Sequence, residues 1–432
     1  MPLPDLSRIP RKTFLMVGVL LVLGIGTWLF FAFALPSQTE PIVLSFWGTD
    51  RADVWSTALT AYKENWRSKG YQVEVQYEEV PRESYREQVK NALAAGTGPD
   101  VFLISNRGLH EEQERLVPVP ATQFSLTNLR EFFPTVVEQD FVRGTGEVYA
   151  LPLFVDTLAL FYNRDLFDTA GIVAPAKNWD DFRAHAMRLR KLTNGQFERE
   201  GAAIGGSTAS ISHPTHLLEL LMLQNGAPMI DTNNTARLMG SRNEGLEAFE
   251  FYVQFARPNS TAYVWSDDDR DLDAFAAERV AMMFGYATDA VQVKNKSPFL
   301  RFGVASMPQP LGVPTTISMA SYEGLVVARQ SKQPSWAWDF VIFATTDQNT
   351  AGTYVSKIGR PSALRTLIVE QAKDADTGIF ASQILTARSW PVPHEKSVEN
   401  LFDAAIRGVL SGNLETFRAL RGAEESLGQL IR

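Results

Sequence analysis

The chain has 432 residues, no cysteine, 45% hydrophobic and 21% charged residues, and a formal net charge of −8. The missing cysteine excludes disulfides, thiolate metal sites and cysteine nucleophiles, and an acidic balance without any basic block argues against a nucleic-acid partner. The length exceeds one ordinary hydrophobic core and implies two lobes or more.

The first predicted element is an uncharged stretch of 22 residues, Phe14 to Leu35, behind Arg8, Arg11 and Lys12. As a helix it is about 33 Å long, enough for a hydrocarbon core of about 30 Å, and the basic residues 1–13 then stay in the cytoplasm. Residues 14–35 read as a transmembrane anchor or signal segment and 36–40 as a linker, with all that follows outside the cell or facing the periplasm. Ala32-Phe33-Ala34 offers a small-residue cleavage site, but the stretch is longer than the roughly 7 to 15 residues of a signal core. An uncleaved membrane anchor is the favoured reading.

Ile42-Val43-Leu44-Ser45-Phe46-Trp47 reads as a buried strand ending at Gly48. Trp55, Leu59, Tyr62 and Trp66 recur at helical spacing up to Gly70, and Val73, Val75 and Tyr77 alternate as a strand. Ser84-x-x-Glu87 predicts a capping box for a helix with Tyr85, Val89 and Leu93 on its apolar face, closed by Gly96-Thr97-Gly98-Pro99 before the strand Val101 to Ile104. Strand, helix, strand, helix, strand is an α/β sheet. The alternation resumes after Pro152 with a strand at Leu158 to Tyr162 and a helix opening near Asn178-Trp179-Asp180. Apolar helix faces at Leu217, Leu218, Leu221 and at Leu246, Phe249, Phe251 precede a strand at Val280 to Phe284. A strand at Gly324 to Ala328, a helix at Ser335 to Thr345 and a helical tail after Pro361 complete the chain.

Several motifs among these elements occur in one order. They are Ile42 to Gly48; Ala94-Ala95-Gly96-Thr97-Gly98-Pro99-Asp100-Val101; the long run Leu151 to Phe167 with Ala170-Gly171-Ile172 and Asn178 to Phe182; Phe275 to Met283; and Gly324 to Phe343. Together they resemble the extracellular solute-binding proteins of ABC importers, in the sugar-binding branch that includes maltose-binding protein. The resemblance implies a two-lobed periplasmic-binding-protein-like α/β fold of type II, here behind an N-terminal transmembrane helix, with ligand in the cleft between lobes. It also implies a carbohydrate ligand, permease subunits as partners, no cofactor and no chemistry. Two departures stand out: Glu278 replaces a glycine of the pattern, and the cysteine of a lipid anchor is missing. By this reading 41–153 form lobe one, 154–310 lobe two, 311–360 return to lobe one, and 361–432 are helical and mainly in lobe two.

A sugar offers apolar ring faces and many hydroxyls, so its cleft needs aromatic plates and bidentate polar groups. Trp47 ends the first strand, where open α/β sheets meet ligand; the alternative is a core tryptophan. Asp50 and Asn106 follow strands and read as ligand contacts or helix caps. By resemblance, Asp156 takes the place of a carboxylate that accepts sugar hydroxyls; the alternative is a hinge carboxylate bonded to backbone amides. Phe154, Tyr286, Tyr322, Glu323 and Trp390 are the remaining candidates, and each aromatic among them serves ligand or core.

The five histidines show no metal spacing. Asp267, Asp269, Asp271, Asp273 and Glu278 fall on calcium-loop positions, but Leu272 stands where that loop needs glycine. No G-x-S-x-G, P-loop or H-E-x-x-H motif is present. A sensor without a transporter, or a surface glycosidase with two distant carboxylates, remain the alternatives to a transport protein.

Overall fold

The computed structural model describes residues 41–431, so the expected anchor and linker lie outside the described residues. Among the described residues no helix is long and apolar enough to cross a membrane.

The strands that position the site are taken in chain order. β1 (Ile42–Gly48), β2 (Val73–Glu79) and β3 (Val101–Ser105) are linked by the helices Ala52–Arg67 and Arg82–Ala94. β4 (Leu116–Val117) and β5 (Leu151–Pro152) lead to β6 (Asp156–Thr157) and β7 (Ala159–Asn163). β8 (Met282–Gly285) and β9 (Phe302–Ala305) follow, then β10 (Ser318–Ser321), β11 (Glu323–Ala328) and β12 (Ala387–Arg388).

The first lobe is a six-stranded sheet in the order β2-β1-β3-β11-β4, with β5 also on β11. β1 runs parallel to β2 and β3, while β11 is antiparallel to its neighbours. Periodicity explains the pieces. Leu44, Phe46 and Gly48 alternate inward on β1, and Val101 to Ile104 are all buried because β3 is central and covered on both faces. The helix Ala52–Arg67 buries Trp55, Ala58 and Tyr62, one turn apart or two. The second lobe holds the small antiparallel sheet β8-β7-β9 and the helices Trp179–Leu189, Pro214–Gln224, Glu244–Val253, Glu395–Leu410 and Thr416–Leu430.

Three chain segments run between the lobes. A narrow strip links them: β10 pairs with β6 antiparallel and with β12 parallel. Beside it Val155 N donates to Pro361 O (3.2 Å) and Ala363 N to Leu153 O (3.0 Å).

Three local expectations change. The helix expected to open with a Ser84–Glu87 capping box starts earlier, behind Pro81; Ser84 lies in its first turn and donates to the Pro81 carbonyl (3.3 Å). Pro81 is the cap residue, extended at ψ 131°, and gives the turn no side-chain bond. Glu278 does take the left-handed conformation that glycine favours (φ 59°), and Asn163 Nδ2 holds its carboxylate at 3.1 Å. The segment after Pro361 divides between lobes: Ala363, Leu364, Ile368 and Ala387 join the core of the first, while Val398, Phe402, Leu420 and Leu427 join that of the second. Met319, inside the segment 311–360 expected to return to lobe one, packs instead in the second core.

Candidate functional site

The carboxyl ends of β1 and β3 and the start of β11 meet at one edge of the first-lobe sheet, the place where open α/β sheets leave a crevice. A cavity of about 180 Å³ opens there. Thr49, Ser105 and Gly108 reach it from loops after β1 and β3, Glu323 from β11, and Arg82, Tyr85 and Arg86 from the helix Arg82–Ala94. Glu395, at the start of the second-lobe helix Glu395–Leu410, closes it from the other side.

Its polar groups are held in place. Arg82 Nη1 donates to Glu323 Oε1 (3.0 Å) and Nη2 to Thr49 Oγ1 (2.7 Å). Ser105 Oγ donates to Glu395 Oε1 (2.9 Å), and Glu395 N donates to Glu111 Oε1 (3.0 Å), so these bonds join the lobes. Burial raises the Glu395 carboxyl above its ordinary value, opposed by Arg107 and by Ser105. The apolar part of the wall is Val89, Phe102, Leu103 and Ile104. Carboxylates, a guanidinium and hydroxyls beside an apolar wall can take a polyhydroxylated ligand.

Deeper between the lobes, Arg107 of the β3 loop donates from Nη1 and Nη2 to the two oxygens of Glu219, each at 2.8 Å. Glu219 belongs to the second-lobe helix Pro214–Gln224, and the two side chains are 3% and 0% exposed. Burial opposes the charge on Arg107, but Glu219 and Glu395 outweigh it and keep the guanidinium protonated. On the second-lobe side His216 Nδ1 lies 2.7 Å from Tyr286 Oη, and His213 Nε2 lies 2.8 Å from Asp289 Oδ2. Burial, then Arg107, hold His216 well below the usual imidazole range. Burial also works against His213, but Asp289 prevails and its value is raised.

The expected site residues take several places. Glu323 lines the cavity. Trp47 is half-buried against the first core, its carbonyl accepting from Tyr85 Oη (2.9 Å). Asp50 accepts from Tyr354 Oη (2.6 Å), and burial raises its carboxyl. Asn106 and Tyr322 are buried on a third carboxylate, Asp140, at 2.9 and 2.6 Å, which Ser389 also bonds; burial pushes Asp140 up to about 6. Phe154 is buried beneath the Arg360 guanidinium, 4.4 Å from its ring centroid. Asp156 is buried in the hinge strip and accepts from the backbone amides of Ala287 (3.1 and 3.2 Å) and Thr157 (2.9 Å). Tyr286 and Trp390 are buried in the second core. Thr49, Arg82, Ser105, Arg107, Glu219 and Glu395 escaped sequence reasoning, although the cationic stripe Arg82, Arg86, Lys90 at four-residue spacing was a usable signal for one wall.

The acidic run is dispersed among other partners. Asp267 accepts from Ser207 N (3.0 Å), Asp271 from Ser212 N (2.8 Å), and Asp273 pairs with Lys296 (2.7 Å). Among the described residues no three acidic, histidine or cysteine side chains are grouped to hold a metal ion.

Comparison with known proteins agrees with the two-lobed fold. A probable ABC transporter-binding protein of Deinococcus radiodurans is 23% identical over 426 residues, covering 93% of this chain and 96% of its own. A maltodextrin-binding protein of Bacillus subtilis is 25% identical over 351 residues, covering 78% and 79%. The crystal structure of a cyclic α-maltosyl-1,6-maltose binding protein from Arthrobacter globiformis superposes with a TM-score of 0.74 at 15% identity, covering 91% of this chain and 99% of that one. These relatives are binding proteins, not enzymes. The bacterial extracellular solute-binding protein family matches residues 52–351, and the chain belongs to that family.

Proposed function

We propose that this protein is tethered to the cell membrane by residues 14–35, captures a sugar between its lobes and delivers it to an ABC importer. The observation that carries the reading is the cavity at the sheet edge, where Thr49, Arg82, Ser105 and Glu323 of one lobe face Glu395 of the other. A ligand bonded to both sides favours the closed arrangement, because its affinity for that arrangement exceeds its affinity for the open one. A permease can then distinguish loaded from empty. The maltodextrin-binding relative supports a carbohydrate, and the Deinococcus relative supports a transporter. Asp50, in the loop after β1, backs the site, where its charge acts on Arg82 and Glu323 of the wall.

Thermal shift against a carbohydrate library tests the proposal. A ligand at 100 times its dissociation constant adds about 2.7 kcal/mol to stability, which a melting curve resolves. Glu323→Ala should then weaken the sugar found by about tenfold or more, since hydrogen bonds to charged groups contribute about 1.5 to 3 kcal/mol. Stabilisation by amino acids or polyamines and by no sugar would overturn the reading.

A further inference from the structure

The edge of the first-lobe sheet opposite the cavity is formed by the amino ends of β1 and β2, and β11 runs back toward it before ending at Ala328. Three aromatic rings cluster there. Trp66, from the last turn of the helix Ala52–Arg67, has its ring centroid 4.6 Å from that of Trp336 and 5.4 Å from that of Tyr71, and Tyr71 lies 5.6 Å from Trp336. Asp339 fixes the cluster from the core side, accepting from Trp66 Nε1 (2.8 Å) and from Tyr62 Oη (2.9 Å). The outer side is cationic. Lys69 stands over the Trp66 ring, 4.3 Å from its centroid, and Arg329 and Lys332 are exposed on the loop that runs from β11 to Trp336. Glu64, in the same helix turn, is paired with Arg67 (3.1 Å). Tyr71 and Val43 are 41% and 45% exposed. The chain enters the lobe beside this cluster, where Ile42 N donates to Gln72 O (2.8 Å).

We infer that the cluster is a membrane seat: Trp66, Tyr71 and Trp336, with Lys69, Arg329 and Lys332 around them, rest on the headgroups of the bilayer in which the chain is tethered. The inference goes beyond sugar capture and rests on the reading of residues 14–35 as the tether. Five residues, 36–40, separate that segment from Pro41. Fully extended they reach about 20 Å at most, which confines the entry edge to the neighbourhood of the lipid surface. Tryptophan and tyrosine join an apolar ring to a polar tip and collect at membrane–water interfaces. Lysine and arginine beside them add attraction to anionic lipid. The chain as a whole carries a net charge of −8, so such a bilayer repels most of its surface and attracts this edge. The cavity, at the other end of β1, stays clear of lipid.

The sequence has no cysteine, so a single introduced one takes a nitroxide label without competition. The whole chain is labelled at Gln72→Cys, beside Tyr71, and separately at Val173→Cys, an exposed position on the second lobe. Each is reconstituted into vesicles of phosphatidylcholine and phosphatidylglycerol, and electron paramagnetic resonance measures contact with a water-soluble relaxant. The expected result is protection of the Gln72 label and none of the Val173 label. That protection should be lost in Lys69→Glu/Tyr71→Ser/Lys332→Glu, a change at three exposed positions that leaves the core in place. A Gln72 label as accessible as the Val173 label would overturn the seat, and so would protection that survives the triple variant. Protection that grows with the protein-to-lipid ratio would assign this face to a second copy of the chain and overturn the seat too. Flotation of the same vesicles separates the two readings. Protein left behind at high salt overturns the tether and the seat with it, whereas protein that floats with an accessible Gln72 label overturns the seat alone.

Discussion

The hinge carboxyl of Asp156 titrates near neutrality: burial pushes it up to about 7, against the pull of Arg360 and of the Ala287 and Thr157 amides. Its folded value lies above its unfolded one, so the folded chain holds the extra proton between about pH 4 and 7 and loses stability as pH rises through that window. A rise to about 7 corresponds to about 4 kcal/mol. Calorimetric melting from pH 5 to 8 should show a falling Tm that Asp156→Asn makes shallower, since the amide has no proton to lose while Asp140 still titrates there. A pH profile left unchanged by that substitution would assign the titration to other groups. Arg107→Ala alone is expected to cost about 3 to 5 kcal/mol of stability, because Glu219 is left charged and buried. Denaturant unfolding of this variant and of Arg107→Ala/Glu219→Ala measures this, with the double variant less affected. Asp156 was legible in the sequence by its place at the crossing, and bonding to backbone amides was the alternative weighed for it, but the partner Ala287, 131 positions away, was not legible. Arg107 was not, because a charged loop residue reads as solvated; its partner stands 112 positions away.

Elements differ in how plainly the sequence marks them. The long strands and amphipathic helices carry their period, and the helix expected to open near Asn178 does so, with the Asn178 side chain accepting from Asp181 N (2.8 Å). The hinge strip does not announce itself: β6 and β12 have two residues each, too few for a period, and they exist only because β10 pairs with both. Close packing of elements is equally silent. At Gly245, in the first turn of the helix Glu244–Val253, an added Cβ would overlap the Leu238 carbonyl. Gly245→Ala should therefore destabilise the second lobe by about 1 to 3 kcal/mol, as other overpacked sites do. Hydrogen exchange would localise the loss to that helix and its neighbour Pro214–Gln224. Uniform loss across both lobes would instead show that they unfold as one unit.

At the scale of the molecule, the two lobes have separate cores joined by a narrow strip, and attachment concerns the chain as a whole. Alkaline extraction of membranes should leave the full chain in the pellet, whereas a chain starting at Pro41 should be soluble and still bind ligand. Release of a form beginning near Leu35 would show cleavage after Ala32-Phe33-Ala34. The first lobe is discontinuous. β11 sits inside its sheet, between β3 and the short strands β4 and β5, and Tyr62 reaches the Trp336 carbonyl across 274 positions. A chain exported from its amino end must therefore keep β3 waiting, with one edge unpaired, while most of the second lobe emerges before β11. Non-local pairing of this kind is slow and exposed to aggregation. The first half of the sequence is thus the natural client of chaperones outside the membrane, and the arrival of β11 is the step that sets the pace of maturation.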